Sequence, residues 1–226
     1  MKIRSQSAFT LIEMLVVISI IAVLAAFAVP ALTSALTKGQ MTGTLNNGRQ
    51  LYLAAQQMAL DGAANSDPTL VWPGDDATIT TVTAYCNRLV ANDYLKPGDL
   101  QKLLNAPGTN ATVTVTAAGP PPVIALAGGT PAFKFFKVLD ANSANVVFLE
   151  TNNYTYNTTL QGVTTAPFGD KGFIVQRRGG DASILRKNNA TAGANPAVFQ
   201  GTVGKQLSDA DGTVTAEAPA NLLLWP

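Results

Sequence analysis

The sequence predicts an α+β fold in which one long N-terminal α-helix packs on an antiparallel β-sheet. Three observations lead to this prediction: an apolar run over residues 8–36, helical spacing of apolar residues that continues to about residue 60, and alternating apolar and polar residues in short segments after residue 112. A chain of 226 residues, 47% hydrophobic and 13% charged, suits one folded domain plus one membrane segment.

The first eight residues, MKIRSQSA, form a short leader whose only charges are Lys2 and Arg4. A basic segment before an apolar run is typical of an export signal and holds the N-terminus on the cytoplasmic side. Three alternatives follow for the apolar run. It is a secretory signal cut at a site such as residues 26–28, an uncleaved single-span anchor, or a processed segment with a further role.

The apolar run is long enough to cross a bilayer, because residues 14–37 contain no charged side chain and a spanning helix needs about 20 apolar residues. Glu13 lies near the start of this run, where an ionised side chain costs about 2.5–3.5 kcal/mol or more at full depth in the membrane. No ordinary signal or anchor needs that carboxylate. Glu13 is therefore a candidate functional residue.

The residues AFTLIE at positions 8–13, together with the leader and the apolar run, resemble the processing site of type IV pilin-like proteins. This family includes pilins and the pseudopilins of type II secretion. The resemblance implies that a prepilin peptidase cuts between Ala8 and Phe9 and that Phe9 is then N-methylated. Ala8 departs from the family pattern, which usually has Gly at this position.

Two explanations of Glu13 remain open. Cleavage would give Phe9 an α-amine with an ordinary pKa of about 8, so it would be mostly protonated at neutral pH. The resemblance implies that Glu13 pairs with the Phe9 amine of a neighbouring subunit and sets the register of assembly. The alternative is a capping box, Thr10-x-x-Glu13, in which the carboxylate satisfies a backbone N–H at the helix start.

Pro30 predicts a kink or local melting, because it removes one intrahelical hydrogen bond. The resemblance assigns this position to unwinding during assembly, and a simple kink at the membrane interface is the alternative. Beyond it, apolar residues recur at three- and four-residue steps and predict a helix to about residue 60. These residues are Leu36, Met41, Leu45, Tyr52, Ala55, Met58 and Ala59. Asp61-Gly62, followed by the residues NSDP at positions 65–68, supplies the predicted stop.

The middle of the chain predicts two short helices, at residues 81–92 and 99–104, and then only strands. The expected strands form one antiparallel sheet and cover residues 113–117, 133–139, 146–151, 154–160, 172–177 and 182–187. Residues 120–122, all proline, predict a stiff connection, and Asn152-Asn153 a tight turn between two strands. Residues 177–181 predict a solvated hairpin turn.

The C-terminal segment contains one candidate metal site, in the sequence LSDADGTVTAE at positions 207–217. Calcium prefers oxygen ligands at alternate positions, which Asp209, Asp211, the Thr213 carbonyl and Glu217 would supply. Calcium is therefore a possible cofactor. An ordinary Asp-x-Asp-Gly turn is the alternative, because a full calcium loop would have Gly at position 214 rather than Val.

Composition argues against several other functions. The chain has no histidine, which removes the commonest general base and metal ligand of enzymes. Its formal charge of +1 would become −1 without Lys2 and Arg4, so nucleic acid is not an expected partner. The single cysteine, Cys86, excludes an intrachain disulfide and is expected to be a buried small residue.

With the resemblance, these observations imply a non-enzymatic structural subunit of a pilus-like helical filament, most like a type II secretion pseudopilin. A type IV pilus subunit and an exported or anchored binding domain are the alternatives. The implied parts are a leader at residues 1–8, a transmembrane and filament-core helix at 9–36, and a soluble α+β domain at 37–226. The implied partners are pilin-like subunits, a prepilin peptidase and an assembly platform in the bacterial inner membrane, with the C-terminal domain in the periplasm.

Overall fold

A computed structural model describes residues 10–160 and 162–226. The helices are α1 Leu11–Asn65, α2 Val82–Ala91, α3 Pro97–Leu103 and α4 Pro196–Thr202, with 3₁₀ turns at Lys187–Asn189 and Pro219–Asn221. The strands are β1 Thr112–Ala117, β2 Val123–Ala127, β3 Phe133–Phe135, β4 Val147–Thr151, β5 Phe173–Arg177 and β6 Ala182–Leu185. Contacts divide the chain into two units, Met1–Gly39 and Gln40–Pro226, and α1 contributes to both.

The strands of the second unit form two antiparallel sheets, where the sequence predicted one. β3, β4, β5 and β6 pair in chain order, and β1 pairs with β2 as a separate hairpin. The sequence predicted no strand directly after the three prolines, yet Val123–Ala127 returns along β1 as a strand. The α+β class, with the long helix on an antiparallel sheet, is confirmed.

The second half of α1 packs on the four-stranded sheet through the predicted apolar positions. Met41, Leu45, Tyr52, Ala55 and Met58 are buried, whereas Leu36 is exposed. The Tyr52 ring lies edge-on to Phe148 of β4 with centroids 6.4 Å apart, and Trp72 meets the same ring at 5.3 Å. Aromatic pairs in this geometry contribute about 0.5–1.5 kcal/mol each beyond the area that they bury.

Helix α2 begins where the sequence predicted, because the Thr81 hydroxyl accepts a hydrogen bond from the Ala84 amide at 3.1 Å. Its apolar face is buried, and α3 follows with Pro97 in its first turn. Cys86 is fully buried in α2, and burial raises the pKa of its thiol to about 12. The interpretation of Cys86 as a packing residue is thus supported.

Residues 154–160 do not form the predicted strand. Tyr154 and Tyr156 alternate as strand residues do, but both are buried anchors of a loop, with hydroxyls that donate to the carbonyls of Ala190 and Gly204 at 2.8 Å. Asn157, with a positive φ of 57°, interrupts any extended run. The turn at residues 152–153 therefore leads into a loop and not into a second strand.

Two further expectations about the second half of the chain are wrong. Helix α4 lies in the segment for which no further helix was expected, and its Phe199 is buried against Tyr156. The turn after β5 does form a hairpin with β6, but Arg177 within it is buried and not solvated. Its guanidinium donates to the Val203 carbonyl at 3.2 Å and also binds the Thr202 carbonyl and Asp181.

Helix α1 runs through Gly62 and ends at Asn65, in the second part of the predicted stop, where Ser66 has a positive φ of 55°. Gly62 does not break the helix; it permits a close approach of the chain. A Cβ atom at this position would lie 1.9 Å from the Leu70 carbonyl oxygen. Gly43, in the same helix, would meet nothing within 4 Å.

This contrast predicts opposite effects of alanine at the two glycines. Gly62→Ala should lower the free energy of unfolding by about 1–3 kcal/mol, because the backbone near Leu70 must shift. Gly43→Ala should raise it by up to about 1 kcal/mol, because alanine favours the helix and meets no neighbour. Urea unfolding of the full chain in detergent measures both values. Equal stability of the Gly62→Ala protein and the unsubstituted protein would contradict the close approach.

Candidate functional site

The first half of α1 exposes a continuous apolar surface. Its exposed large side chains are Leu11, Ile12, Met14, Leu15, Val16, Val17, Ile18, Ile20, Ile21, Val23, Leu24, Phe27, Val29, Leu32 and Leu36. By length and composition, this helix is able to cross a membrane, and none of its most apolar stretch is buried by the rest of the described chain. An apolar surface of this extent marks a membrane or protein contact.

Hydroxyl groups within this apolar segment find partners inside the helix. Ser19 donates to the Val16 carbonyl at 2.7 Å, Thr33 to the Pro30 carbonyl at 3.0 Å, and Thr37 to the Thr33 carbonyl at 3.0 Å. In hydrocarbon an unsatisfied hydroxyl is costly, so such internal bonds let polar residues enter a membrane segment. These bonds lower the cost of placing Ser19, Thr33 and Thr37 in an apolar environment.

Glu13 closes a capping box with Thr10 at the start of α1. Its Oε2 accepts hydrogen bonds from the Thr10 amide at 2.8 Å and the Thr10 hydroxyl at 2.7 Å, and the Glu13 amide donates to Thr10 Oγ1 at 3.3 Å. This is the local explanation that the sequence offered for Glu13. Among the described residues, no hydrogen bond involves Oε1.

Ala8 and Phe9 lie outside the described residues, so the predicted cleavage site has no structural account here. Pro30 lies within α1, which is helical on both sides of it. The local melting expected at Pro30 is therefore not seen in the isolated chain. Of the predicted processing and assembly residues, Glu13 and Pro30 are described, 17 residues apart on one helix.

The described residues do not form the predicted calcium site. Asp209 Oδ1 accepts from the Thr215 amide at 2.9 Å and hydroxyl at 2.6 Å, and Oδ2 accepts from the Tyr156 hydroxyl at 3.0 Å and the Gln206 amide at 3.1 Å. Both oxygens are thus already occupied. In the part of the chain that the structure describes, no group of three or more acidic, cysteine or histidine side chains could hold a metal ion.

The other three predicted ligands also bind protein groups. Asp211 is almost fully exposed and pairs with Lys205 at 2.6 Å, and Lys205 lowers the pKa of this carboxyl. The Thr213 carbonyl accepts from Gln200 Nε2 at 2.8 Å, and Glu217 binds Lys134 instead. Hydrogen bonds from the protein therefore hold this loop where the sequence predicted a metal ion.

Sequence reasoning missed two polar side chains that organise this region. Gln200 of α4 is buried and makes three bonds to the loop: to the Ala210 and Thr213 carbonyls and from the Gly212 amide. Lys134 contacts Glu150 at 2.5 Å and Glu217 at 2.7 Å. Lys134 and Glu150 lay in predicted strands, and a charged residue within an apolar strand was the signal available for them.

Comparisons with known proteins bear on this chain at its N-terminal end. Residues 3–29 match the family model described as the prokaryotic N-terminal methylation motif. This match includes positions 8, 9 and 13 and ends just before Pro30. This match supports the resemblance of the N-terminal segment to type IV pilin-like proteins.

Curated proteins that are similar to this chain have fimbrial names. The fimbrial protein EcpC of Eikenella corrodens is 34% identical over 111 residues, which are 49% of this chain and 62% of the relative. A type IV major fimbrial protein FimA of Dichelobacter nodosus is 31% identical over 71 residues, which are 31% of this chain and 46% of the relative. The chain thus spans less than two thirds of the length of these relatives. No solved structure matches it.

The occupied carboxylate of Asp209 predicts unequal roles for the two aspartates of this loop. Asp209→Ala should lower the free energy of unfolding by about 2–4 kcal/mol, because four donors lose a charged acceptor in a buried site. Asp211→Ala should change it by less than about 0.5 kcal/mol, because its ion pair is exposed.

Thermal unfolding of the two variants, monitored by circular dichroism in the same buffer, measures this difference. Asp211→Ala is the matched control, because it removes the same functional group two residues away. An equal loss of stability in both variants would contradict the structural role assigned to Asp209.

Proposed function

We propose that this pilin-like chain is a structural subunit of a pilus-like helical filament and has no enzymatic role. The observation that carries the proposal is the apolar surface over residues 11–36, which the described chain leaves uncovered. Burial of apolar surface contributes about 25 cal/mol per Å², so a membrane and later the equivalent helices of other subunits would each stabilise this segment. In a filament, the helices of other subunits would cover this apolar surface after it leaves the membrane.

In this proposal, a prepilin peptidase removes residues 1–8 and Phe9 becomes the methylated N-terminus. Residues 9–36 then anchor the subunit in the bacterial inner membrane, with residues 37–226 in the periplasm, until an assembly platform adds it to the filament. Melting of the helix near Pro30 would accompany that step. The match of residues 3–29 to the methylation motif supports the processing part of the proposal.

For Glu13, we propose two partners at once. Oε2 closes the capping box with Thr10, and Oε1 is left to bind the Phe9 amine of a neighbouring subunit. A carboxylate that enters an apolar filament core needs such a cation, because an unpaired buried charge costs several kcal/mol. The capping box and the contact between subunits are thus compatible.

Two filament systems fit the chain. The names of the curated relatives, fimbrial and type IV major fimbrial protein, favour a type IV pilus, which serves in adhesion, motility or DNA uptake. The resemblance to pseudopilins of type II secretion rests on the presence of a single cysteine, because many pilins close a C-terminal loop with a disulfide. We favour the type IV pilus because the similar proteins are named as fimbrial proteins.

The first test concerns the N-terminus of the mature protein. Mass spectrometry of its N-terminal peptide should find Phe9 with one added methyl group, as the proposed processing requires. An N-terminus at Val29 would indicate a secreted domain, and an intact Met1 would indicate a plain anchor. An Ala8→Gly variant is the control, because it restores the residue usual at this position and should be processed at least as fast.

The second test separates the two roles of Glu13. Glu13→Gln keeps the capping box, in which glutamine serves as well as glutamate, but removes the charge. Thr10→Ala keeps the charge but removes the hydroxyl of the box. We expect Glu13→Gln to reduce filament yield in sheared fractions at least about tenfold, because loss of an ionic partner of this kind costs more than 1.4 kcal/mol.

Thr10→Ala should assemble normally in the same assay. Both variants should be processed like the unsubstituted protein, which the N-terminal mass verifies. Normal filaments from Glu13→Gln together with a defect in Thr10→Ala would overturn the pairing and leave the capping box as the whole role of Glu13.

A further inference from the structure

Three charged side chains meet in the interior of the second unit, at the edge of the four-stranded sheet. Lys134 of β3 and Glu150 of β4 are cross-strand partners, and Glu217 reaches them from the C-terminal segment. Lys134 Nζ lies 2.5 Å from Glu150 Oε1 and 2.9 and 2.7 Å from the two carboxylate oxygens of Glu217. Glu150 is completely buried, whereas the side chains of Lys134 and Glu217 keep 15% and 11% of their surface exposed.

Two carboxylates around one ammonium require a proton. With both ionised, the site would carry a net negative charge away from water, which is costly. Burial raises the pKa of Glu150 well above its usual range. Burial alone would also raise the pKa of Glu217, but the neighbouring Glu150 carboxyl and the charge of Lys134 lower it. Of the two carboxyl groups, Glu150 is therefore the one that holds a proton, and Glu217 is the anion.

The surroundings of Glu150 also favour its protonated form, because among the described residues neither of its buried carboxyl oxygens accepts a hydrogen bond and its only ion pair is with Lys134 Nζ. An ionised carboxylate only accepts hydrogen bonds, so two of them repel each other, whereas a protonated one can donate. Burial alone would lower the pKa of Lys134, but the two carboxyl groups raise it, so this amine stays charged. The site as a whole is then neutral.

Glu217 begins the segment that completes the fold. Its carboxylate also accepts from the Tyr156 amide at 3.0 Å. A few residues later, the Leu223 amide donates to the Phe135 carbonyl at 2.9 Å, and the Asn221 carbonyl accepts from the Lys137 amide at 2.8 Å. Residues 221–224 thus lie along the edge of β3.

The other edge of this segment is also paired. The Leu224 amide donates to the Thr80 carbonyl at 3.0 Å, and the Leu224 carbonyl accepts from the Val82 amide at 3.0 Å. The segment is therefore held by a few backbone bonds on each side, by the Glu217 side chain and by the packing of Leu223 in the hydrophobic core. A terminal segment with so few backbone bonds can open without global unfolding.

We propose that Lys134, Glu150 and Glu217 form a one-proton latch that holds residues 217–224 on the edge of β3 and releases them when the proton is lost. Within the described residues, the other titratable groups that face the site are Tyr154, Tyr156 and, through Tyr156, Asp209. Burial raises the pKa of both tyrosines above their usual range, so they remain neutral as the pH rises. Glu150 is the group whose charge changes.

The sign of the pH effect follows from the proton count. While residues 217–224 are docked, Glu150 keeps its proton. Once they are released, Glu150 loses this proton near the ordinary glutamate pKa of about 4.3. Between that value and the raised pKa, each pH unit increases the opening constant by up to about tenfold, because one proton is released. At low pH, docking weakens again as Glu217 is protonated through its lowered pKa.

Amide hydrogen exchange of the full chain in detergent tests this latch. The comparison protein is Glu150→Gln, in which a neutral amide can donate to Glu217 and accept from Lys134 at every pH. At each pH from about 6 to about 9, exchange at residues 221–224 is measured in both proteins, so intrinsic exchange rates cancel. The exchange rate of the unsubstituted protein, divided by that of Glu150→Gln at the same pH, should rise by up to about tenfold per pH unit.

Exchange within β5, at residues 173–177, should not differ between the two proteins. A ratio at residues 221–224 that stays constant with pH would overturn the proposal. So would a parallel increase in β5, because that would mean global unfolding and not local release. Lys137→Gln is the matched control: this lysine donates to the Ala220 carbonyl at 3.1 Å but lies outside the triad. The pH dependence should survive in it.

Glu217→Gln gives a second, independent test if Glu150→Gln does not fold. Without the neighbouring carboxylate, Glu150 ionises against Lys134 at ordinary pH, and the rise in exchange with pH should disappear. A rise as steep as in the unsubstituted protein would contradict the latch. None of these outcomes depends on whether the chain assembles into a filament.

Discussion

The apolar surface of residues 11–36 needs cover that the described chain does not provide, and this requirement organises the molecule. Fifteen large apolar side chains of α1 are exposed there. Beyond Gln40 the same helix changes role, because Met41, Leu45, Tyr52, Ala55 and Met58 face the sheet and are buried. One continuous helix therefore supplies an external contact surface in its first part and the core of a folded domain in its second.

Small residues decide how closely the second part of α1 approaches its neighbours. Gly48 faces the Phe133 ring, where an added Cβ would lie 3.2 Å from the nearest ring carbon, and Gly62 touches the Leu70 backbone. As a helix residue each glycine costs about 1 kcal/mol relative to alanine. At these two positions the cost is offset by packing that no larger residue permits, whereas Gly43 has no such contact.

Elements with a local signal could be predicted from the sequence. The helical period of α1, the Thr81 cap of α2 and the alternation of β1, β4 and β5 each depend on neighbouring residues. The errors arose where distant contacts decide. Tyr154 and Tyr156 alternate like strand residues but anchor a loop by donating to distant carbonyls. Asp209 fits a calcium-binding pattern in the sequence, but its carboxylate accepts hydrogen bonds from Tyr156 and Thr215. At the candidate site, Glu13 and its capping box followed from spacing alone.

The C-terminal loops of this chain are held in place by hydrogen bonds and ion pairs. The chain has a single cysteine, and its described residues contain no group of three or more acidic, cysteine or histidine side chains that could hold a metal ion. Asp209 and Gln200 satisfy the loop from within, and the triad around Lys134 ties the segment that follows to the sheet. A disulfide would hold that segment regardless of pH, whereas the stability of a buried network of ionisable groups depends on their protonation states. Because an ionised Glu150 would add a second anion to this buried site, the proposed docking of residues 217–224 is coupled to proton activity. A covalent link would lack that coupling.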